Sequence, residues 1–224
     1  MTTLTTRGIS HIIWDWNGTL LNDKWLCIES INTLLLQRGL APIDENRYAG
    51  IFGFPVKSYY ERAGFDFTSE PYEKPAMEFI RLYDERRTEC ALQPGAQGVL
   101  EAVRRLGIGQ SLLSASEKGV LEEMTAHHGI RGYFDHLKGL NDHYAHGKED
   151  LGRELMLQIG CRPEEVLMVG DTCHDSEVAA ALGLECILYT GGHHPEDRLM
   201  RCGRILLNRL EAIPELLIRL QAFH

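Results

Sequence analysis

The sequence lacks the features that mark nucleic-acid-binding and membrane proteins. It has no block of basic residues, and 23 Lys and Arg against 32 Asp and Glu give a net charge of −9. This balance argues against nucleic acid or an anionic membrane as a partner. No hydrophobic run approaches the ~20 residues that cross a bilayer. Residues 1–10 have no charged start followed by a long apolar core, so we expect no signal peptide.

The spacing of the cysteines indicates neither a set of disulfides nor a zinc site. The six cysteines form no C-x-x-C pair and no zinc-type spacing, which favours free thiols in a reducing compartment. We therefore expect a cytoplasmic protein, and the sequence leaves its oligomeric state open. The 224 residues, 44% hydrophobic and 25% charged, allow one α/β domain with an insertion or two small domains.

Short apolar runs alternate with helical patterns over most of the chain. A β-branched run at 9–14 predicts a first buried strand that ends at Asp15, before the turn signal Asn17-Gly18. Further strands are predicted at 109–114, 133–138, 165–170, 185–189 and 205–207, and helices at 98–106, 118–128, 148–159, 175–182 and 212–222. Such alternation predicts a Rossmann-like three-layer α/β core with a parallel sheet.

The alternation is interrupted by a long stretch without any strand pattern. Helices are predicted at 24–38, 44–51, 56–63 and 75–89, and Gln93-Pro94-Gly95 bounds the stretch. We therefore predict a core domain made of residues 1–21 and 91–224, with a small all-helical domain, residues 22–90, inserted after the first strand.

Polar side chains follow the predicted strands at four places. Asp15, Ser114, Lys148 and the pair Asp171 and Asp175 all come after strand ends, and the carboxyl ends of parallel strands share one edge. Three carboxylates in one crevice need a counter-charge. All-oxygen ligation favours Mg²⁺, and Lys148 would add a second positive charge.

These motifs together resemble the haloacid dehalogenase superfamily. The pattern is Asp15-x-Asn17-Gly18-Thr19-Leu20, then Ser114, then Lys148, then Gly170-Asp171-x-x-x-Asp175, in matching order and spacing over essentially the whole chain. The helical insertion resembles the cap domain of phosphoglycolate-phosphatase-like members.

The resemblance implies a role for each matching residue. Asp15 would attack phosphorus and form an aspartyl-phosphate. Mg²⁺ would be bound by Asp15, the backbone carbonyl of Asn17 and Asp171. Asp175 would serve the metal site through water or by holding Lys148. Ser114, Lys148 and backbone N–H groups near Gly18 and Ala115 would bind the phosphoryl group. The implied activity is hydrolysis of a small phosphorylated metabolite.

The chain departs from the family pattern at Asn17. Phosphatase members carry Asp there, which protonates the leaving alcohol, whereas an amide exchanges no proton at neutral pH. Losing such a group costs about 10²–10⁴-fold, most for alkyl phosphates and less for phenolic, acyl-phosphate or phosphoanhydride leaving groups. We expect Asn17→Asp to raise alkyl phosphate turnover at least tenfold.

Several explanations of Asn17 remain open at this point. The protein is a slowed phosphatase, or its proton carrier lies elsewhere, with His174 and Tyr59 as candidates. It is otherwise a phosphoryl-binding or regulatory protein with little turnover, or a variant in which Asn was introduced to trap a complex. Dehalogenation ranks lower because Asp171 retains a metal ligand. Phosphonate cleavage ranks lower because it needs a Schiff-base lysine from the cap, for which Lys24 and Lys57 are the candidates, since Lys74 lies beside Pro75 far along the insertion.

The local pattern of two further segments indicates their structure. Residues 52–60 combine Gly53 with aromatic side chains and Lys57, and they either contact the substrate or pack cap helices together. His193 and His194 follow two glycines and precede a proline, which indicates an exposed loop rather than a metal site.

Overall fold

The computed structural model describes residues 8–140 and 147–222. The strands are β1 (His11–Trp14), β2 (Leu21–Asn22), β3 (Ala91–Leu92), β4 (Gly109–Glu117), β5 (His136–Leu140), β6 (Val166–Gly170), β7 (Glu185–Tyr189) and β8 (Ile205–Leu207). Six of them form a parallel sheet in the order β5-β4-β1-β6-β7-β8, and β2 pairs with β3 in an antiparallel ribbon.

Ten α-helices complete the described part of the chain. They are α1 (Lys24–Gln37), α2 (Glu45–Ile51), α3 (Val56–Ala63), α4 (Glu73–Arg86), α5 (Ala96–Arg105), α6 (Lys118–His127), α7 (Lys148–Ile159), α8 (Cys173–Leu182), α9 (Glu196–Leu199) and α10 (Ile213–Ala222). None of these helices is long and apolar enough to cross a bilayer.

The central strand β1 is buried on both faces because helices cover the sheet from both sides. Ile12 and Trp14 belong to a core cluster with residues of α5, α6 and α10, whereas Ile13 packs with residues of α7 and α8. Alternate side chains of a strand point to opposite faces, so a fully apolar β1 is the sequence expected at the centre of three layers. The predicted three-layer α/β core is confirmed.

Along the chain, helices α1–α4 come between β2 and β3. This stretch buries a hydrophobic cluster of its own. Its members are Ile31, Leu34, Leu35, Ile43, Tyr48, Tyr59, Tyr60, Ala63 and Phe65. The prediction of helices without strands over this stretch agrees with the structure. The two-residue strands β2 and β3 were missed, since two residues cannot show a period-2 pattern.

The sequence also missed the four-residue helix α9. The remaining differences concern the ends of elements. Strand β4 continues three residues beyond the predicted end at Ser114, with an irregular register between Leu113 and Glu117. The predicted strand at 133–138 begins later, at His136, because Arg131–Tyr133 forms a 3₁₀ turn. Residues 1–7 of the segment tested for a signal peptide lie outside the described residues.

Candidate active site

A cluster of buried charges lies at the carboxyl edge of the sheet. Asp15 follows β1, Asp171 and Asp175 follow β6, and oxygens of the three carboxylates lie within 4.8 Å of one another. Lys148, the first residue of α7, contacts the Asp15 carboxylate and donates to Asp175 at 2.6 Å. The Thr19 hydroxyl lies 3.1 Å from Asp15 and 2.9 Å from Asp171.

Burial makes the negative charge of this cluster costly. It raises the pKa of Asp15 to about 6, against the opposing effect of Lys148, and it raises the pKa of Asp171 to about 8. Burial acts in the same direction on Asp175, but the Lys148 ammonium outweighs it and lowers the pKa of Asp175. One lysine does not neutralise three carboxylates, so the donor set fits a divalent cation bound by oxygen ligands.

Asp175 has a second structural task. Thr172 caps α8, and one oxygen of Asp175 accepts hydrogen bonds from the Thr172 hydroxyl and backbone N–H at 2.7 and 2.9 Å. Its other oxygen contacts Lys148. The capping interaction therefore orients the carboxylate that positions the lysine beside Asp15.

Asn17 belongs to a second network of hydrogen bonds beside this charge cluster. Its Nδ2 donates to Asp23 at 2.7 Å and to the Tyr83 hydroxyl at 2.9 Å, and its Oδ1 accepts from Ser116 at 2.7 Å. Asp23 fixes the orientation of the Asn17 amide. An ionised carboxylate only accepts hydrogen bonds, so the Asn17 nitrogen must face it. Both ends of the Asn17 side chain are thus hydrogen-bonded within the protein.

Asp23 is the centre of that network and is fully buried. Besides Asn17 and Tyr83, it accepts from the Gly18 N–H at 2.9 Å and pairs with His193 at 3.3 Å. Burial opposes the ionisation of both Asp23 and His193. Their mutual attraction prevails, lowering the pKa of Asp23 and raising the pKa of His193 to about 9.

The predicted exposed loop at His193 and His194 is wrong. The two side chains are 3% and 2% exposed. The His193 ring lies between Asp23 and the Tyr48 hydroxyl, 3.0 Å away, and its backbone N–H donates to Asp171; His194 accepts from the backbone N–H of Cys173. Specific polar partners on both sides of the loop account for its burial.

The phosphoryl-binding residues predicted from sequence lie around the same edge. Ser114 is buried and lies 3.5 Å from the Asn17 side-chain oxygen, while Ala115 lines the neighbouring cavity. The Gly18 N–H already donates to Asp23 and to the Leu21 carbonyl. The structure thus brings Asp15, Lys148, Asp171 and Asp175 into contact, with the other predicted residues beside them.

Gly18 allows the close approach of these two networks. Its φ of +76° is left-handed, and a Cβ there would overlap Asp171 and His193. Gly39, which follows α1 with φ +70°, has open space around its missing Cβ. The two glycines therefore separate the cost of backbone strain from the cost of crowding.

We expect Gly18→Ala to lower the free energy of unfolding by at least about 3 kcal/mol, because strain and overpacking add. Gly39→Ala should cost only about 1 kcal/mol, from its backbone conformation. Urea unfolding of both variants measures the difference. Equal losses would contradict the tight packing of Asp171 and His193 against Gly18.

A family model for haloacid dehalogenase-like hydrolases matches residues 12–189. The chain belongs to this family. Among haloacid dehalogenase-like relatives, a phosphoglycolate phosphatase from Synechococcus elongatus is 25% identical over 193 residues, covering 84% of this chain and 87% of the relative. A 5'-nucleotidase from Pseudomonas aeruginosa is 30% identical over 199 residues, covering 84% and 86%.

Solved structures support the haloacid dehalogenase-like fold at lower identity. A predicted phosphatase from Clostridium acetobutylicum superposes with a TM-score of 0.83 at 19% identity, covering 95% of this chain and 100% of that one. A haloacid dehalogenase-like hydrolase from Streptococcus pneumoniae gives 0.82 at 18% identity, covering 93% and 98%. The superfamily predicted from the motifs is confirmed.

Proposed function

We propose that the protein is a Mg²⁺-dependent phosphatase that hydrolyses a small phosphate monoester through a phosphorylated Asp15. The observation that supports this most strongly is the contact of Lys148 with Asp15 inside a buried cluster of three carboxylates. A buried carboxylate beside a fixed ammonium group is an oriented nucleophile facing a site of positive charge.

The proposed first step is attack by a carboxylate oxygen of Asp15 on phosphorus. The bond from phosphorus to the ester oxygen breaks, and the leaving group departs with the electron pair as an alkoxide or phenolate, which takes a proton from solvent. Lys148, Ser114 and backbone N–H groups near Gly18 and Ala115 would bind the phosphoryl oxygens as charge builds up. Water then cleaves the aspartyl-phosphate, which releases inorganic phosphate and restores the Asp15 carboxylate.

The proposed metal site consists of Asp15, the carbonyl of Asn17, Asp171 and Asp175. A divalent cation there would neutralise phosphoryl charge and orient the group that is transferred. With Lys148, it would also balance the three carboxylates, since +1 and +2 offset −3. Burial raises the pKa of Asp15 and of Asp171, because their negative charges are removed from water and are not balanced inside the protein. A bound cation would supply the missing positive charge.

We further propose that helices α1–α4 act as a cap domain, residues 22–90, over a core of residues 1–21 and 91–224. A cavity of about 670 Å³ lies between the helices and the carboxyl edge of the sheet. Lys148 and Asn17 line its floor and Phe52, Tyr72 and Phe79 its helical side. A substrate bound there would contact both the helices and the edge of the sheet.

The test is a phosphate-release assay over a panel of phosphate esters and acyl phosphates, with Mg²⁺ and with a chelator. We expect release with Mg²⁺ and a loss of at least about 100-fold with the chelator, because the metal and Lys148 share the charge stabilisation. Chelator-resistant hydrolysis would contradict the metal-dependent mechanism.

A phosphoryl-binding protein with little turnover is the second candidate. It is favoured by the Asn17 amide, whose two ends are hydrogen-bonded to Asp23, Tyr83 and Ser116 and which supplies no proton to a leaving group. This candidate predicts that phosphate raises the melting temperature with Mg²⁺, although no ester of the panel is hydrolysed.

A further inference from the structure

The cavity above Asp15 has a wall of aromatic rings. Seven of them come from the helical segment: Phe52, Phe54, Tyr59, Tyr60, Tyr72, Phe79 and Tyr83. The rings contact one another, with centroids 6.0 Å apart for Phe52 and Phe54 and 6.2 Å apart for Phe79 and Tyr83. Such a wall offers edge and face contacts to a planar ring.

Solvent-exposed apolar side chains mark the same cavity. Phe54 and Met77 are 41% and 46% exposed, and both line it. Phe54 also stacks on His174 with ring centroids 4.4 Å apart, so it joins the helical side of the cavity to the sheet side. Large apolar side chains exposed in a cavity favour an apolar ligand.

The charges of the cavity do not favour an anionic leaving group. Among the described lining residues, Lys148 is paired with Asp15 and Asp175, and His193 is paired with Asp23. No other lysine and no arginine lines the cavity within the described parts of the chain, whereas Glu73, Glu117 and Asp84 do, the last paired with Arg87. A carboxylate or second phosphate on the substrate would therefore meet repulsion.

The polar groups around Asn17 favour a leaving group that needs no proton. The hydroxyl of Tyr83 donates to Asp23, and the hydroxyl of Ser116 donates to Asn17. These protons are already used inside the protein. A phenol, like a tyrosine, ionises near pH ~10, whereas an alkyl alcohol resembles water at ~16, so a phenolate leaves far more readily unprotonated.

We propose that the substrates of this site are aryl phosphates whose ring carries no charged group. Such a substrate is a monoester of a phenol, and its ring lies among Phe52, Phe54 and Phe79. This inference rests on the proposed phosphatase function. Asp15 displaces the phenolate, which keeps the electron pair of the broken phosphorus–oxygen bond and is protonated by solvent. Water then hydrolyses the aspartyl-phosphate, so that ester and water give phenol and inorganic phosphate.

Five compounds separate the contribution of the ring from that of the leaving group. They are phenyl phosphate, benzyl phosphate, acetyl phosphate, ethyl phosphate and 2-phosphoglycolate. In kcat/KM, we expect benzyl to exceed ethyl phosphate by about 10–100-fold through ring burial. Phenyl should exceed benzyl phosphate by at least about 100-fold through its leaving group, and phosphoglycolate should be the poorest.

Met77→Lys places a cation in the cavity, and Met200→Lys is its control. Met77 lines the cavity, whereas Met200 is 66% exposed in a turn after α9 and does not line it. We expect Met77→Lys to lower kcat/KM for phenyl phosphate about tenfold and to raise it for phosphoglycolate. Met200→Lys should leave both values within about twofold.

Two results would overturn the substrate class while leaving phosphatase function intact. They are equal kcat/KM for phenyl phosphate and phosphoglycolate, and equal effects of Met77→Lys and Met200→Lys. If no compound of the panel is hydrolysed, the phosphatase proposal fails and binding decides the substrate class. Tighter binding of phenylphosphonate than methylphosphonate by at least about tenfold, measured calorimetrically with Mg²⁺, supports it; equal binding overturns it.

Discussion

Asp15→Asn is expected to abolish phosphate release and at the same time to stabilise the metal-free protein. The amide cannot form the aspartyl-phosphate, so we expect kcat to fall by at least about 10⁴-fold. The variant keeps the size of the side chain and removes one of three clustered acidic groups. This single substitution should therefore lower the activity while raising the free energy of unfolding.

The stability gain should depend on pH. Burial raises the pKa of Asp15 from 3.8 to about 6, so folding opposes its ionised form. In the wild type this cost is absent below about pH 4, grows between about pH 4 and 6, and is complete above that. Asp15→Asn should thus raise the free energy of unfolding by about 1–3 kcal/mol at pH 7 and by little at pH 4.

Urea unfolding at both pH values, with a chelator present, measures this effect. Asp197→Asn is a suitable control, since it makes the same charge change at an exposed position in the first turn of α9. Mg²⁺ should stabilise the wild type more than Asp15→Asn, because the variant has lost one proposed ligand. A variant less stable than the wild type in chelator at pH 7 would contradict the excess of negative charge.

The second large effect is expected from exchanging the carboxyl and amide groups of Asn17 and Asp23. In Asn17→Asp alone, two carboxylates would meet where the Asn17 nitrogen now lies 2.7 Å from Asp23, and they would have to share a proton. The structure thus changes the expectation for the single variant, which the sequence predicts to be a simple gain. Asn17→Asp combined with Asp23→Asn restores one carboxyl and one amide in contact.

We expect this double variant to raise kcat for ethyl phosphate by about 10–100-fold, because a carboxyl group at position 17 can protonate a leaving alkoxide. Phenyl phosphate should change less than about threefold, since its phenolate needs no proton. Steady-state kinetics on both esters, with Asp23→Asn alone as the control, measures the difference. Equal gains on both esters would show that the exchange acts through something other than proton donation.

The sequence predicted the fold well because its elements have clear periods. Strand β1 is a short apolar run at the centre of a covered sheet, and the helix predicted at 148–159 is the observed α7. Strands β2 and β3 were missed because their two residues carry no period. The late start of β5 depends on a 3₁₀ turn that propensity alone does not reveal.

The site was predictable where chemistry follows a strand end, and less so elsewhere. Asp15, Asp171 and Asp175 were found by that rule. Asp23 was missed because an Asp before a helix usually caps it, and in the structure its side chain makes no capping hydrogen bond. His193 follows β7 by four residues and obeys the same strand-end rule, but the glycines before it indicated a surface loop.

The burial of Asp23 has a consequence for how substrate enters and product leaves. Its pairing with His193, and the bonds of Tyr83 and Tyr48 to this pair, join the first, second and fourth helices of the insertion to the sheet. Swinging those helices outward would break hydrogen bonds to charged groups, each of about 1.5–3 kcal/mol. Any outward movement of the proposed cap would therefore have to break hydrogen bonds to the buried Asp23–His193 pair.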